Sequence, residues 1–300
     1  MTGGEIIRNS MFKLLFEGIG TMFLTIAFNC SQKGAGFGYN QTAMLLVIWV
    51  LTIFGWKISG AHYNPCISVA YMLRKDVGSF PRILGVAYAV MQILGAFVGA
   101  MISWFLLSDY QGLIDSTPRI LSTDTKISTI YNYTLSNSGN IYPGCTWSAV
   151  SKVANSDTLS NFECSYSGFV FGAIIAETIG AFFVAFFYLS QTETQTYFSK
   201  EKAINCFIIA SSYVGCRAML NGKTVTQSGA VLNPAIAIGT NFAMLFDKDG
   251  TMFQYVWIYA LFPLAGSILA VIFHEFVFKK TQEVLHDDEG SDENDQLIEK

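Results

Sequence analysis

The chain has 300 residues, of which 52% are hydrophobic, 15% aromatic and only 13% charged, roughly half the charge of an average soluble domain. With 25 Phe and several uncharged runs of about twenty residues, this excludes an ordinary soluble globule and indicates a multi-pass membrane protein in a lipid bilayer. The formal charge of −4 is uneven: residues 281–300 carry eight acids and one Lys, so the tail is −7 and the rest +3, which leaves no basic face suited to nucleic acid.

Residues 1–10 are polar. Arg8 and Lys13 precede an apolar run, but Glu17 interrupts it, so the start does not read as a cleavable signal. The first span is predicted over residues 11–30 and the second over 41–56. The stretch Ser59-Gly-Ala-His62-Tyr-Asn64-Pro65-Cys66 follows, leading into a short apolar run (67–73) that ends at Arg74-Lys75. Such a run is too short to cross a bilayer and has the length of a re-entrant segment. The third span is predicted over 83–107.

Residues 108–167 are rich in Ser, Thr and Asn and longer than ordinary connections. They read as a solvent-facing loop. The loop holds an Asn132-Tyr-Thr134 glycosylation sequon and a possible disulfide pair, Cys145 and Cys164, features that suit an extracytoplasmic compartment. Spans four, five and six are predicted over 168–189, 203–220 and 253–273. Between the last two, Ser228-Gly-Ala-Val-Leu-Asn233-Pro234-Ala235 precedes a second short apolar run (236–246). The acidic tail, 280–300, is predicted to be disordered. Within it, Glu293 to Ile298 reads either as an acidic dileucine sorting signal or as plain solvated chain.

Orientation follows from positive charge. Ten Lys and Arg fall on the side of the N-terminus (Arg8, Lys13, Lys57, Arg74, Lys75, Arg82, Lys200, Lys202, Lys279, Lys280). Four fall in the short segments opposite (Lys33, Arg217, Lys223, Lys248). Both termini are therefore expected in the cytoplasm and the 108–167 loop outside, in the plasma membrane or an endomembrane or vacuolar compartment.

The two halves repeat. Glu17-Gly-Ile-Gly20 parallels Glu177-Thr-Ile-Gly180, the Asn-Pro stretches parallel one another, and Tyr88 through Gly95 parallels Tyr259 through Gly266. Three spans per half is an odd number, so the second copy enters the membrane inverted, an architecture known in transport proteins. In each copy Pro suits the first helical position and Asn the helix mouth. Two facing mouths would present unpaired N–H groups and positive dipole ends to a polar guest.

Two Asn-Pro boxes in inverted halves, each preceded by Ser-Gly and flanked by repeated Glu and Gly positions, resemble the aquaporin (major intrinsic protein) family over about residues 11–279. The resemblance implies an all-α membrane protein of six transmembrane helices plus two re-entrant half-helices. It divides the chain into an N-terminus (1–10), a channel domain (11–279, with repeats 11–107 and 168–279) and a tail (280–300). It also implies a passive channel for water and small neutral solutes, assembled as a homotetramer, with no cofactor.

The residue roles it implies are as follows. Asn64 and Asn233 donate to the passing solute. Pro65 with Cys66 and Pro234 with Ala235 form the contact between half-helices. Glu17 and Glu177 hold the loop backbones, and His62 braces its loop near the cytoplasmic mouth. The positions that correspond to the outer constriction are Met44, Ala218, Ala230 and Ile236. Here the sequence departs from the family. Ile236 stands where Arg is usual, Ala237 where glycerol-passing members have Asp, and Cys66 where Ala is usual. The last feature and the missing Arg resemble the unorthodox superaquaporins. None of the four constriction residues is charged, so an apolar, wider constriction is expected, with glycerol, urea, ammonia or hydrogen peroxide as alternative cargo.

Two other classes stay open: a poorly conducting junction or adhesion protein of the same fold, and a coupled secondary transporter using Glu17 and Glu177. No His/Cys cluster has metal spacing and no nucleophile–base arrangement is visible in the sequence, so neither a metal site nor an enzyme is expected.

Overall fold

The computed structural model describes residues 3–31, 37–74, 80–107, 145–147, 162–164, 166–220, 229–247, 253 and 255–285. The helices are α1 (Gly3–Ser31), α2 (Phe37–Trp56), α3 (Pro65–Leu73), α4 (Arg82–Leu107), α5 (Tyr166–Thr192), α6 (Lys202–Leu220), α7 (Pro234–Met244) and α8 (Val256–Phe273). A 3-10 turn (Leu245–Asp247) follows α7 and a π-helical turn (His274–Phe278) follows α8.

Each half thus reads long, long, short, long. Arg8–Ser31, Arg82–Leu106, Val170–Thr192, Lys202–Leu220 and Val256–Leu285 are long and apolar enough to cross a membrane. At 20 residues α2 is about 30 Å long, the sixth such rod.

Polarity is inverted relative to a soluble protein. Large apolar side chains such as Met11, Phe54, Ile83, Phe105 and Phe171 are exposed around the outside, whereas Glu17, Thr21, Asn29, Gln92, Glu177, Asn205, Arg217 and Asn241 are buried. In lipid the outer surface needs no cover, and polar groups belong in the bundle interior.

Within each half the first and third long helices pack most closely, α1 along α4 and α5 along α8. Glycine makes this possible. A Cβ on Gly95 would collide with the Gly18 carbonyl, and one on Gly266 with the Thr178 carbonyl, so the backbones touch as small residues allow. Each short helix also leans on the other half, α3 on α8 and α7 on α4. This interlock brings the two Asn-Pro stretches together.

Two expectations are corrected. The final helix does not stop at 273 or give way to a disordered tail at 280, because it continues through the π turn to Leu285. Helix-forming polar residues extend it, and Thr281 Oγ1 bonds the Val277 carbonyl. Within the 108–167 connection, β1 (Cys145–Trp147) pairs antiparallel with β2 (Phe162–Cys164), and Cys145 lies opposite Cys164. Arg217 does not belong to an external segment, since it lies within α6 and is fully buried. Asn132, Ser228 and residues 286–300 lie outside the described residues.

Candidate functional site

The loops that lead into α3 and α7 repeat in backbone conformation as well as in sequence. Gly60 and Gly229 have φ of +96° and +79°, Ala61 and Ala230 +57° and +45°, Tyr63 and Leu232 +50° and +54°. Left-handed backbone is natural for the glycines. For the four other residues it costs about 1–2 kcal/mol each, so the surroundings must hold it.

Two buried carboxylates do so. Glu17 Oε1 accepts from the His62 N–H (3.0 Å) and the Ser59 hydroxyl (2.6 Å), and Oε2 from the Tyr63 N–H (2.7 Å) and the Gln92 amide (2.8 Å). Glu177 repeats the backbone part, accepting from the Val231 (3.0 Å) and Leu232 (2.8 Å) N–H groups. Hydrogen bonds to a charged acceptor contribute about 1.5–3 kcal/mol each, which offsets the cost of the loop conformation. Tyrosines fix the loop carbonyls: Tyr88 donates to Ser59, Tyr188 to Gly60 and Tyr213 to Val231.

Held this way, each loop delivers an Asn to a helix N-terminus. Asn64 and Asn233 are extended (φ −151° and −148°) and precede Pro65 and Pro234 at the first helical position. Each Oδ1 caps its own helix, Asn64 accepting from Cys66 N–H (2.9 Å) and Asn233 from Ala235 N–H (3.0 Å). Each Nδ2 crosses to the opposite loop: Asn64 donates to the Leu232 carbonyl (2.8 Å) and Asn233 to the Tyr63 carbonyl (3.0 Å). The exchange is reciprocal and sets the two half-helix mouths face to face. An amide nitrogen carries two hydrogens, so each Asn keeps one beyond its cross-bond. Pro65, Cys66, Pro234 and Ala235 are all buried at this junction, and the Cys66 thiol is free.

The flanks differ. On the side of the chain termini, His62 sits in an aromatic box with ring centroids of Tyr71, Phe80, Tyr88 and Tyr188 at 5.1–5.4 Å. Its Nδ1 is 3.1 Å from the Ser68 hydroxyl, which also accepts from Gln92. His62 therefore joins the same network as Glu17.

On the opposite side Met44, Ala230 and Ile236 belong to one buried cluster that includes Phe28. Ala218, expected with them, lies on the exposed face of α6. The residue before it turns inward instead, because a helix rotates about 100° per residue. Arg217 is 0% exposed. Its guanidinium lies 3.8 Å from the Phe28 ring centroid, and Nη1 donates to the Gly229 (3.3 Å) and Ala230 (3.4 Å) carbonyls. Its Nε and Nη2 have no protein partner.

The positions expected to form an uncharged constriction are apolar, but a buried cation, Arg217, lies against Phe28 of the same cluster. Sequence reading missed it because Arg217 is near a span end, where Lys and Arg usually belong to the loop. The signal was its spacing from Tyr213, four residues earlier, since both donate to the same loop.

The arrangement offers hydrogen-bond donors from two Asn amides, two positive helix ends and a buried guanidinium, with apolar side chains around them. This suits a polar, uncharged guest and opposes a cation.

The major intrinsic protein family profile matches residues 5–274. An uncharacterized aquaporin-like protein of Haemophilus influenzae is 23% identical over 81% of this chain and 92% of its own length. The glycerol uptake facilitator protein of Bacillus subtilis is 24% identical over 88% and 84%. The X-ray structure of the aquaglyceroporin from Plasmodium falciparum shares the fold with a TM-score of 0.63, at 17% identity over 92% of this chain and 99% of that one.

Proposed function

The chain belongs to the major intrinsic protein family, and from that premise we propose that its facing half-helix mouths are the midpoint of a single-file passage for water and small neutral solutes. The protein is an integral membrane channel, as its family and fold indicate. The observation that carries the passage assignment is the reciprocal bonding of Asn64 and Asn233 across the two loops. It leaves one amide hydrogen on each Asn for a guest oxygen. A water that accepts from both is turned so that its own hydrogens point away from the centre. This interrupts a proton wire, and the positive helix ends repel hydronium and metal cations.

Met44, Ala230, Ile236 and Arg217 with Phe28 form the constriction, in which Arg217 takes over from α6 the charge that Ile236 lacks. One apolar wall and one set of donors also suit glycerol, which has a hydrocarbon face and a hydroxyl face, and this makes glycerol the second cargo. Two of the relatives named above fit this range, one described as aquaporin-like and one as a glycerol facilitator. Glu17, Glu177 and His62 are positioning residues, with His62 and its aromatic box at the cytoplasmic mouth. The channel domain spans residues 11–279, both termini are cytoplasmic, the protein assembles as a homotetramer, and Cys145 and Cys164 form a disulfide outside.

Stopped-flow light scattering on proteoliposomes tests this reading. An impermeant osmolyte should cause fast shrinkage and glycerol a slower re-swelling. Asn233→Ala should reduce water flux to near that of empty liposomes while the variant still elutes as folded protein, since losing the helix cap costs about 1 kcal/mol and orphaning the Tyr63 carbonyl about 1–3 kcal/mol. Unchanged flux in the folded variant would overturn the assignment.

A further inference from the structure

A second cluster of buried polar groups lies away from the Asn-Pro junction, where the exit of α3, the end of α5 and the π turn after α8 meet. Glu193 follows α5 directly, and its two oxygens pair with Arg74 and with Lys279 Nζ, the latter at 3.0 Å. Lys279 also lies 3.5 Å from Glu275 Oε2. The π turn places the consecutive residues His274 and Glu275 both inward, 0% and 6% exposed, and such turns are frequent at functional sites.

Neither nitrogen of the His274 ring has a hydrogen-bond partner, and neither does Glu275 Oε1, although Nδ1 and Oε1 lie 3.5 Å apart. Phe186 and Phe278 wall the ring. A buried polar group left unpaired costs about 1–3 kcal/mol; here Nε2 has no protein partner, and Nδ1 has only the long approach to Glu275 Oε1.

One ligand atom each from Glu193, His274 and Glu275 lies within 4.8 Å of the others. Three ligands about 2.0–2.2 Å from a common ion in tetrahedral geometry lie about 3.3–3.6 Å from one another, so side-chain rotation that closes the widest separation by about 1 Å completes the set. We infer that Glu193, His274 and Glu275 form a binding site for a first-row transition-metal dication such as Zn²⁺, which replaces the Lys279 ammonium as counter-ion to the two carboxylates.

The donor set selects this class. One imidazole and two carboxylates suit Zn²⁺, Co²⁺ or Ni²⁺, whereas Ca²⁺ takes six to eight oxygens and Cu(I) prefers thiolates. Three protein ligands leave a fourth position for water. Lys279 is held by Glu193 and Glu275, and its long side chain can carry the ammonium toward the interface when a dication takes over that pairing. Arg74 stays on Glu193, its guanidinium 4.6 Å from the Tyr71 ring centroid. Glu193 is some eighty residues from His274 in sequence, so no spacing motif announces the site. The inference is independent of what the channel conducts.

Calorimetric titration of the purified full chain in detergent, with Zn²⁺ and separately with Ca²⁺, tests it. One Zn²⁺ per chain is expected, with Ca²⁺ silent. His274→Ala should weaken Zn²⁺ binding at least tenfold, whereas His286→Ala, in the tail, should not. Lys279→Ala should tighten it by removing the competing ammonium, an outcome that a merely structural role would not produce. Absence of Zn²⁺ binding, an affinity indifferent to His274, or weaker binding in Lys279→Ala would each overturn the site.

Discussion

Arg217 and Ile236 together show how a local departure from a family pattern is answered elsewhere in the fold. Ile236 caps no carbonyl and carries no charge, yet the loop beside it is bonded by the Arg217 guanidinium, which reaches in from α6 and stacks on Phe28. Cation–π stacking in a desolvated place contributes about 2 kcal/mol, which helps to hold an arginine with two unshared donors. If those donors and that bulk set the constriction, Arg217→Ala should raise glycerol permeability relative to water by about tenfold, the equivalent of one ~1.4 kcal/mol contact. Parallel osmotic shrinkage and glycerol re-swelling on the same liposomes measure the ratio. An unchanged ratio would place the constriction elsewhere.

At the scale of elements, the short helices exist because other elements hold their entrances. A helix of nine or eleven residues, such as α3 or α7, is marginal by itself, and its leading loop is strained at Ala61, Tyr63, Ala230 and Leu232. The carboxylates of α1 and α5 supply what is missing. Glu177→Ala orphans the Val231 and Leu232 N–H groups at about 1–3 kcal/mol each. The thermal unfolding midpoint in detergent should therefore fall by several degrees, whereas Glu283→Ala, exposed in the helical continuation beyond the π turn, should leave it unchanged. Equal midpoints would show that Glu177 does not support its loop. Glu17 also accepts from two side-chain donors, Ser59 and Gln92.

For the whole molecule, inversion of the repeat fixes which features share a face. The start of α1, His62 and the Glu193–His274–Glu275 cluster lie toward one side, and Arg217, the end of α4 and the start of α5 toward the other. With Arg217 counted inside the bundle, the balance of positive charge becomes ten to three and strengthens the proposed orientation. That orientation predicts a glycan at Asn132: expression in a eukaryotic secretory system should give a band that shifts on glycosidase treatment and is lost in Asn132→Gln. A tag at the C-terminus should stay protected in sealed cells, and an accessible tag would reverse the topology.

The sequence alone determined the class, the helix order, the inverted repeat and the residues of the Asn-Pro junction. These depend on composition, on runs of apolar residues and on motifs that recur along the chain, all of them local in sequence. Tertiary structure decided the rest. It determined which of Arg217 and Ala218 faces inward, since one residue of helix rotation separates them. It carried the last helix through its π turn to Leu285. It also gathered Glu193, Arg74, His274, Glu275 and Lys279 from three distant segments, because only packing of α3, α5 and α8 brings groups with no shared spacing within reach of one another.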